Sequence, residues 1–303
     1  MCVSKSGIIG PQRRTLNWAW GLVWLITLSL ASGCSVIRLA YANGPQLAWW
    51  WLDGYMDFSR DQSVGARRAI DRWFDWHRPS QLPDYAALLA QAQTQMLAAT
   101  TPAQVCAWQD RVRRQLEPAL QRGLLEFADL VPSLGEAQFK HLEQRYLKGN
   151  DELRNDFLQP DSAERQRESI KRSAERAERL YGSLSEAQLQ VIAAGVSVSP
   201  FNPELWLAER QRRQRDTLQT LRRLVADKPE RDQRVGALRA LVQRSEQSAD
   251  PAYRAYQTRL GDYNCNLAAQ LHNATTGAQR QKARDQLKAW EDDLRSLLTQ
   301  PPT

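Results

Sequence analysis

From Gln62 to the end of the chain, apolar residues return every three or four positions. Ile70, Trp73, Phe74 and His77 share one helical face. Leu205, Trp206, Leu218, Leu221 and Leu224 lie on another run, and Val235, Leu238, Leu241 and Val242 on a third. Tyr253, Tyr256, Leu260, Tyr263, Leu267 and Leu271 follow the same spacing, and Leu287, Trp290, Leu294 and Leu297 form a last stripe. This is the period of amphipathic helices. No stretch alternates at the period of a strand, and Val196-Ser197-Val198 is too short to be one.

The helix starts share one idiom, a Ser, Thr or Gly followed three residues later by Gln: Ser59–Gln62, Thr101–Gln104, Gly135–Gln138, Ser185–Gln188 and Thr276–Gln279. This is the capping box, in which a hydroxyl accepts from the amide three residues on and the Gln side chain reaches back to the cap residue's amide. Pro102 suits a first helical position, and Gly135 lacks the hydroxyl. The copies fall 42, 34, 50 and 91 residues apart, which rules out a solenoid repeat. Asn202-Pro203 and Asp250-Pro251 open two further helices, and Lys228-Pro229 separates two. Trp76-His77-Arg78-Pro79 reads as a helix end, with cations closing the helix before a proline, and His272-Asn273 as another. The expectation is an all-α bundle of about nine or ten antiparallel helices, residues 59–299 forming a single domain.

Residues 34–58 form a distinct N-terminal segment. Asn43 suits a helix cap and Pro45 a first turn, ahead of Leu47-Ala48-Trp49-Trp50-Trp51-Leu52 and Tyr55-Met56-Asp57-Phe58. A helix with no polar face is either plugged into a core or turned to lipid, and the sequence leaves both open; Asp53 and Asp57 weigh towards the core.

Upstream, Arg13 and Arg14 precede an apolar run, Leu16 to Leu30, that ends in Ala31-Ser32-Gly33-Cys34. A positive flank, a short apolar core and small residues before a break describe a secretory signal. With its cysteine the segment resembles a bacterial lipoprotein signal, although Ala31 stands where that family prefers leucine and Leu30 lies one place earlier. The resemblance implies cleavage of residues 1–33, a lipid anchor on Cys34 and, from Ser35 in place of Asp, sorting to the outer membrane facing the periplasm.

Without residues 1–33 the 303-residue chain keeps 270. The removed stretch holds Lys5, Arg13, Arg14 and no acid, so the charge falls from +7 to +4. Mild basicity in an exported chain suits anionic headgroups, lipopolysaccharide or cell-wall polymer rather than nucleic acid, against the weightier alternative that Arg is simply the favoured surface helix former. Cys2 leaves with the signal and Cys34 takes lipid; Cys106 and Cys265 remain as an even pair in an oxidising compartment and are expected to be bridged, the alternative being two separate buried thiols.

Candidate chemistry is sparse. His77, His141 and His272 have no second ligand at metal spacing, so no metal or other cofactor is expected. There is no nucleophile elbow or phosphate loop. Asp53, Asp57 and Asp61 are four apart, but Ser59 caps a new helix between them. The runs Glu164–Arg179 and Glu209–Arg215 alternate in sign and read as solvated faces.

Taken together, Tyr41 to Phe58, Trp76-His77-Arg78 with Leu82-Pro83-Asp84-Tyr85, and His272-Asn273 with Thr275-Thr276 and Gln279-Arg280 resemble an uncharacterised family of proteobacterial envelope lipoproteins carrying a domain-of-unknown-function label. That resemblance implies an address and a helical fold, not an activity. Leu184-Ser185-Glu186-Ala187-Gln188 and Leu134-Gly135-Glu136-Ala137-Gln138 are similar to the Leu-Thr-x-x-Gln motif of Spy/CpxP-type periplasmic chaperones. The reading is a non-enzymatic outer-membrane lipoprotein that binds or scaffolds an envelope protein, an unfolded client or a glycan, its oligomeric state left open. The alternative is an envelope hydrolase or lipid-handling enzyme using Trp49–Asp75, which a pocket joining His77 to Asp71 or Asp75 would favour.

Overall fold

The Ser/Thr-x-x-Gln signal marks helix starts throughout. In a computed structural model that describes residues 36–299, Ser59 Oγ accepts from Gln62 N while Gln62 Oε1 accepts from Ser59 N. The same reciprocal pair forms at Thr101–Gln104, Ser185–Gln188 and Thr276–Gln279. At Gly135 only the return bond from Gly135 N to Gln138 Oε1 exists, because glycine brings no hydroxyl. Cys34 and the signal segment 1–33 lie outside the described residues.

The chain is all-helical among the described residues: α1 (Val36–Ala42), α2 (Gly44–Met56), α3 (Arg60–Met96), α4 (Pro102–Leu130), α5 (Glu136–Phe157), α6 (Ser162–Tyr181), α7 (Glu186–Ser197), α8 (Pro203–Asp227), α9 (Arg231–Glu246), α10 (Pro251–Asn273) and α11 (Gly277–Thr299), with a 3₁₀ turn at Val131–Ser133. That is one helix more than the upper expectation, and the addition is α1. Asn43 explains the boundary. Its side chain does not cap α2; its amide donates back to Leu39 O at 2.8 Å and closes α1. The start of α2 then packs so closely on α3 that a Cβ added at Gly44 would lie 2.5 Å from Phe74 Cε1.

α3 does not end at Pro79. It runs through Pro79 and Pro83 for 37 residues, about 55 Å at 1.5 Å per residue. An internal proline forfeits a backbone bond and clashes with the carbonyl four residues back, at a local cost of about 3 kcal/mol. Here Ser80 Oγ donates to Trp76 O at 2.5 Å within the interrupted turn, and Leu82 and Ala86 are fully buried just beyond it. α11 packs along α3 more extensively than any other helix pair. Tertiary packing therefore overrides the local break.

That length lets α3 join two cores. The first gathers Trp49, Met56, Ala66, Leu142 and Leu221 from α2, α3, α5 and α8, with Phe58 from the link between α2 and α3. The second gathers Tyr181, Ile192 and Ala283 from α6, α7 and α11, with Met96 at the far end of α3 packed against it. A disulfide between Cys106 of α4 and Cys265 of α10, Cα atoms 5.5 Å apart, ties together positions 159 residues apart in sequence.

The cap glutamines also meet across the structure. Gln188 Nε2 donates to Ala274 O, two residues before the Thr276 cap, and Gln279 Nε2 donates to Ser183 O, two residues before the Ser185 cap. In the first core, Gln138 Nε2 donates to Asp57 O and Gln62 Nε2 to Ser133 O, again two residues before each other's cap. Two pairs of helix starts are thus stitched by one arrangement used twice.

The run Glu209–Arg215 is not a solvated face. Glu209 is buried, and its carboxylate accepts from Arg212, Arg213 and Ser248. Burial pushes this carboxyl up, but the guanidinium and hydroxyl hydrogen bonds outweigh it and hold the group below the usual carboxylate range. Charge alternation marks a helix without saying which side faces water.

Candidate functional site

His77 lies in α3 among aromatic rings, not carboxylates. Trp73 stacks on it at 4.3 Å between centroids, with Tyr41 at 5.9 Å and Tyr85 at 5.5 Å. The Tyr41 hydroxyl sits 2.9 Å from His77 Nδ1. Burial pushes the Tyr41 phenol up to about 12, so it stays protonated and donates, and Nδ1 accepts. Burial also pushes the His77 imidazole down to about 4. Asp71 and Asp75 are exposed and do not bond to it. The pocket joining His77 to Asp71 or Asp75 does not form.

The other histidines are equally local. His272 Nε2 donates to Ala98 O at 2.7 Å, leaving Nδ1 to accept from the Tyr181 hydroxyl at 2.8 Å. Asn273 beside it bonds both backbone groups of Thr100. Together they fasten the end of α10 to the α3–α4 turn. His141 meets Gly54 O through Nε2 at 3.1 Å and has Asp57 4.0 Å from Nδ1. Asp53 accepts from Phe58 N, and Asp57 takes a left-handed conformation at the end of α2. Among the described residues no group of three or more His, Cys, Asp or Glu is placed to hold a metal ion.

The N-terminal segment resolves its two readings by splitting them. Trp49 and Met56 point into the first core, and Trp49 carries Arg67 4.1 Å above its ring. Leu47, Trp50 and Trp51, at i, i+3 and i+4 on α2, stand 45 %, 61 % and 66 % exposed. Val36 and Leu39 on α1 are 82 % and 62 % exposed. α2 is thus anchored by one face and presents large apolar side chains on another. Trp51 also forms the rim of a cleft of about 460 Å³ between α2, α3 and α4, floored by Ala66 and Ala69 and walled by Ile70, Trp73 and Phe127.

A second concavity, which the sequence reading passed over as a solvated face, lies along α6. Arg165, Ser169, Arg172 and Arg176 project from one side of that helix into a groove of about 520 Å³ whose far wall is α7, the start of α8, and α10. Phe157, Phe201 and Trp206 close one end as an edge-to-face cluster, with centroids 5.1 to 6.2 Å apart. The i, i+4, i+7, i+11 spacing was legible; that this side of the helix borders a groove, while Ile170, Ala174, Ala177 and Tyr181 on the opposite side pack into the second core, was not.

The model of a family of unknown function (DUF6279) matches residues 54–254. No curated protein and no solved structure matches the chain. The matched residues include the α6 groove's basic wall and all of α3 to α9, with only the adjoining ends of α2 and α10, and stop short of Cys34 on one side and α11 on the other.

Proposed function

The chain belongs to that family of unknown function, DUF6279, and we propose, from its own residues, that it is a periplasm-facing lipoprotein of the outer membrane, cleaved before Cys34, lipidated there, and acting as a non-enzymatic binding or scaffolding module. The observation that carries the reading is the row of exposed apolar side chains, Val36, Leu39, Leu47, Trp50 and Trp51, immediately after the anchor cysteine. Tryptophan on a helix beside an acyl anchor suits the headgroup region of a bilayer, where an amphipathic ring is best solvated. The Cys106–Cys265 bridge supports an oxidising compartment. None of the described helices is long and apolar enough to cross a membrane. Cells fed a fatty-acid probe should label the protein, and Cys34→Ala should abolish both labelling and sedimentation with outer membranes; label retained by that variant would overturn the assignment.

A second reading, lipid handling without hydrolysis, draws on the apolar cleft beside Trp51. Its alanine floor and aromatic walls suit an acyl chain better than a polar ligand. Displacement of a fluorescent fatty acid by Ala66→Phe, which fills that floor, tests it.

A further inference from the structure

We propose that the groove along α6 is a binding site for an anionic saccharide, a sugar unit that carries a phosphate or a carboxylate. This deepens the binding-module reading and rests on it only for where such ligands are met.

Three guanidinium groups, Arg165, Arg172 and Arg176, enter the groove, and no carboxylate lines it. Two are held in place from behind. Arg165 donates to Gln159 O and Pro160 O, and Arg172 to Asp156 O at 3.1 Å, with its guanidinium 4.4 Å above the Phe157 ring. These bonds use part of each five-donor fork and fix it against the end of α5, leaving donors turned to the cavity. Arg176 is exposed and makes no hydrogen bond or ion pair among the described residues. Two guanidinium groups held in place and a third beside them, with no carboxylate lining the groove, are arranged to receive an anion, and pre-organisation of the two lowers what binding must spend on ordering.

The neutral lining identifies the rest of the ligand. Ser169, Ser173, Ser197, Ser199, Gln166 and Asn264 supply hydroxyls and amides. Ser199 Oγ accepts from Phe201 N, which leaves its own proton to donate. Such groups match a polyol, which offers both donors and acceptors. Phe201 and Trp206 at the closed end supply an apolar edge for the C–H face of a sugar ring. A volume of about 520 Å³ lies in the range of small-ligand pockets and holds two or three sugar units. A helical peptide would need apolar holes at i, i+3 and i+4 spacing, and an extended one an open sheet edge; the groove offers neither.

The test is calorimetric titration of the full-length protein in detergent with trigalacturonate, glucose 6-phosphate, maltotriose and triglutamate. At least one of the two anionic sugars should bind, and the preferred one distinguishes a carboxylated from a phosphorylated source. Neutral maltotriose and triglutamate should each bind at least about tenfold more weakly, the scale of one charge-assisted contact. Arg176→Gln, at an exposed position without a partner, should leave the helical spectrum unchanged and weaken the preferred sugar by about tenfold. No heat from either anionic sugar, triglutamate binding as tightly as the sugar, or an unaltered affinity in Arg176→Gln would each overturn the proposal. The same titration of Cys34→Ala should match the wild type, so loss of lipid labelling and loss of sugar binding report on separate claims.

Discussion

Gln188 and Gln279 each donate a side-chain amide proton to the other's carbonyl oxygen, at 2.7 and 2.9 Å. Each oxygen also accepts from its own cap residue's amide, and each nitrogen also donates to the backbone before the other's cap. Both side chains therefore use all four of their bonding sites. Gln188 is 3 % exposed, so a missing partner cannot be replaced by water. Gln188→Ala should lower unfolding free energy by about 2–3 kcal/mol. The double variant with Gln279→Ala should fall short of the sum of the single effects by about 1 kcal/mol, because the pair shares two bonds. Urea denaturation of the four proteins measures the coupling; strict additivity would refute it.

The cross-link from Cys106 to Cys265 closes a long loop and restricts the unfolded chain. In the chain-entropy account a loop of 159 residues contributes about 5 kcal/mol, and measured values commonly fall to about 2–4. Reduction, or Cys106→Ala with Cys265→Ala, should lower the denaturation midpoint accordingly. Alkylation without reductant should leave both thiols unmodified.

Protonation of His77 opposes folding. Its folded-state pKa, pushed down by burial to about 4, lies below the ordinary 6.5, so between these values the unfolded chain binds the extra proton. Its contribution is complete above pH 6.5 and is lost as pH falls towards 4, by about 3 kcal/mol at most. Asp216, held low by the hydrogen bond from Arg244, loses its contribution only in the carboxylate range below that window. NMR titration should find the His77 ring still neutral at pH 5. His77→Phe should flatten the stability profile between pH 6.5 and 5.

Trp50 and Trp51 stand clear of the core, so Trp50→Ser with Trp51→Ser should change stability by less than about 0.5 kcal/mol each. The same substitutions should weaken partition onto phospholipid vesicles several-fold, measured by flotation. Unchanged flotation would assign these rings to a protein partner instead.

The helix starts were legible because capping is local chemistry: the four residues from Ser185 to Gln188 contain both halves of their box. How the boxes pair was not, since Gln62 with Gln138 and Gln188 with Gln279 are brought together only by the packing of whole helices. The continuation of α3 through Pro79 was hidden for the same reason, the stabilising contacts coming from α11 some two hundred residues later. At Glu230, whose amide donates to Gln233 Oε1 at 3.2 Å, a sixth use of the glutamine went unread because the cap residue is an acid. The aromatic content of α2 left core and lipid both open with the acids weighing towards the core, and which tryptophan turned inward depended on Phe58 and Arg67 meeting Trp49. His77 and its neighbouring aspartates offered an alternative site in sequence; at about 100° per residue, Asp75 two places and Asp71 six places before His77 fall on the exposed side of α3, away from the buried imidazole.

The covalent state of one sulfur decides the assignment of a lipid anchor. Intact-mass and N-terminal peptide analysis of the protein extracted from membranes should find a chain that begins at Cys34 and carries acyl groups on that residue. A chain that begins elsewhere, or that carries an unmodified Cys34, would contradict it.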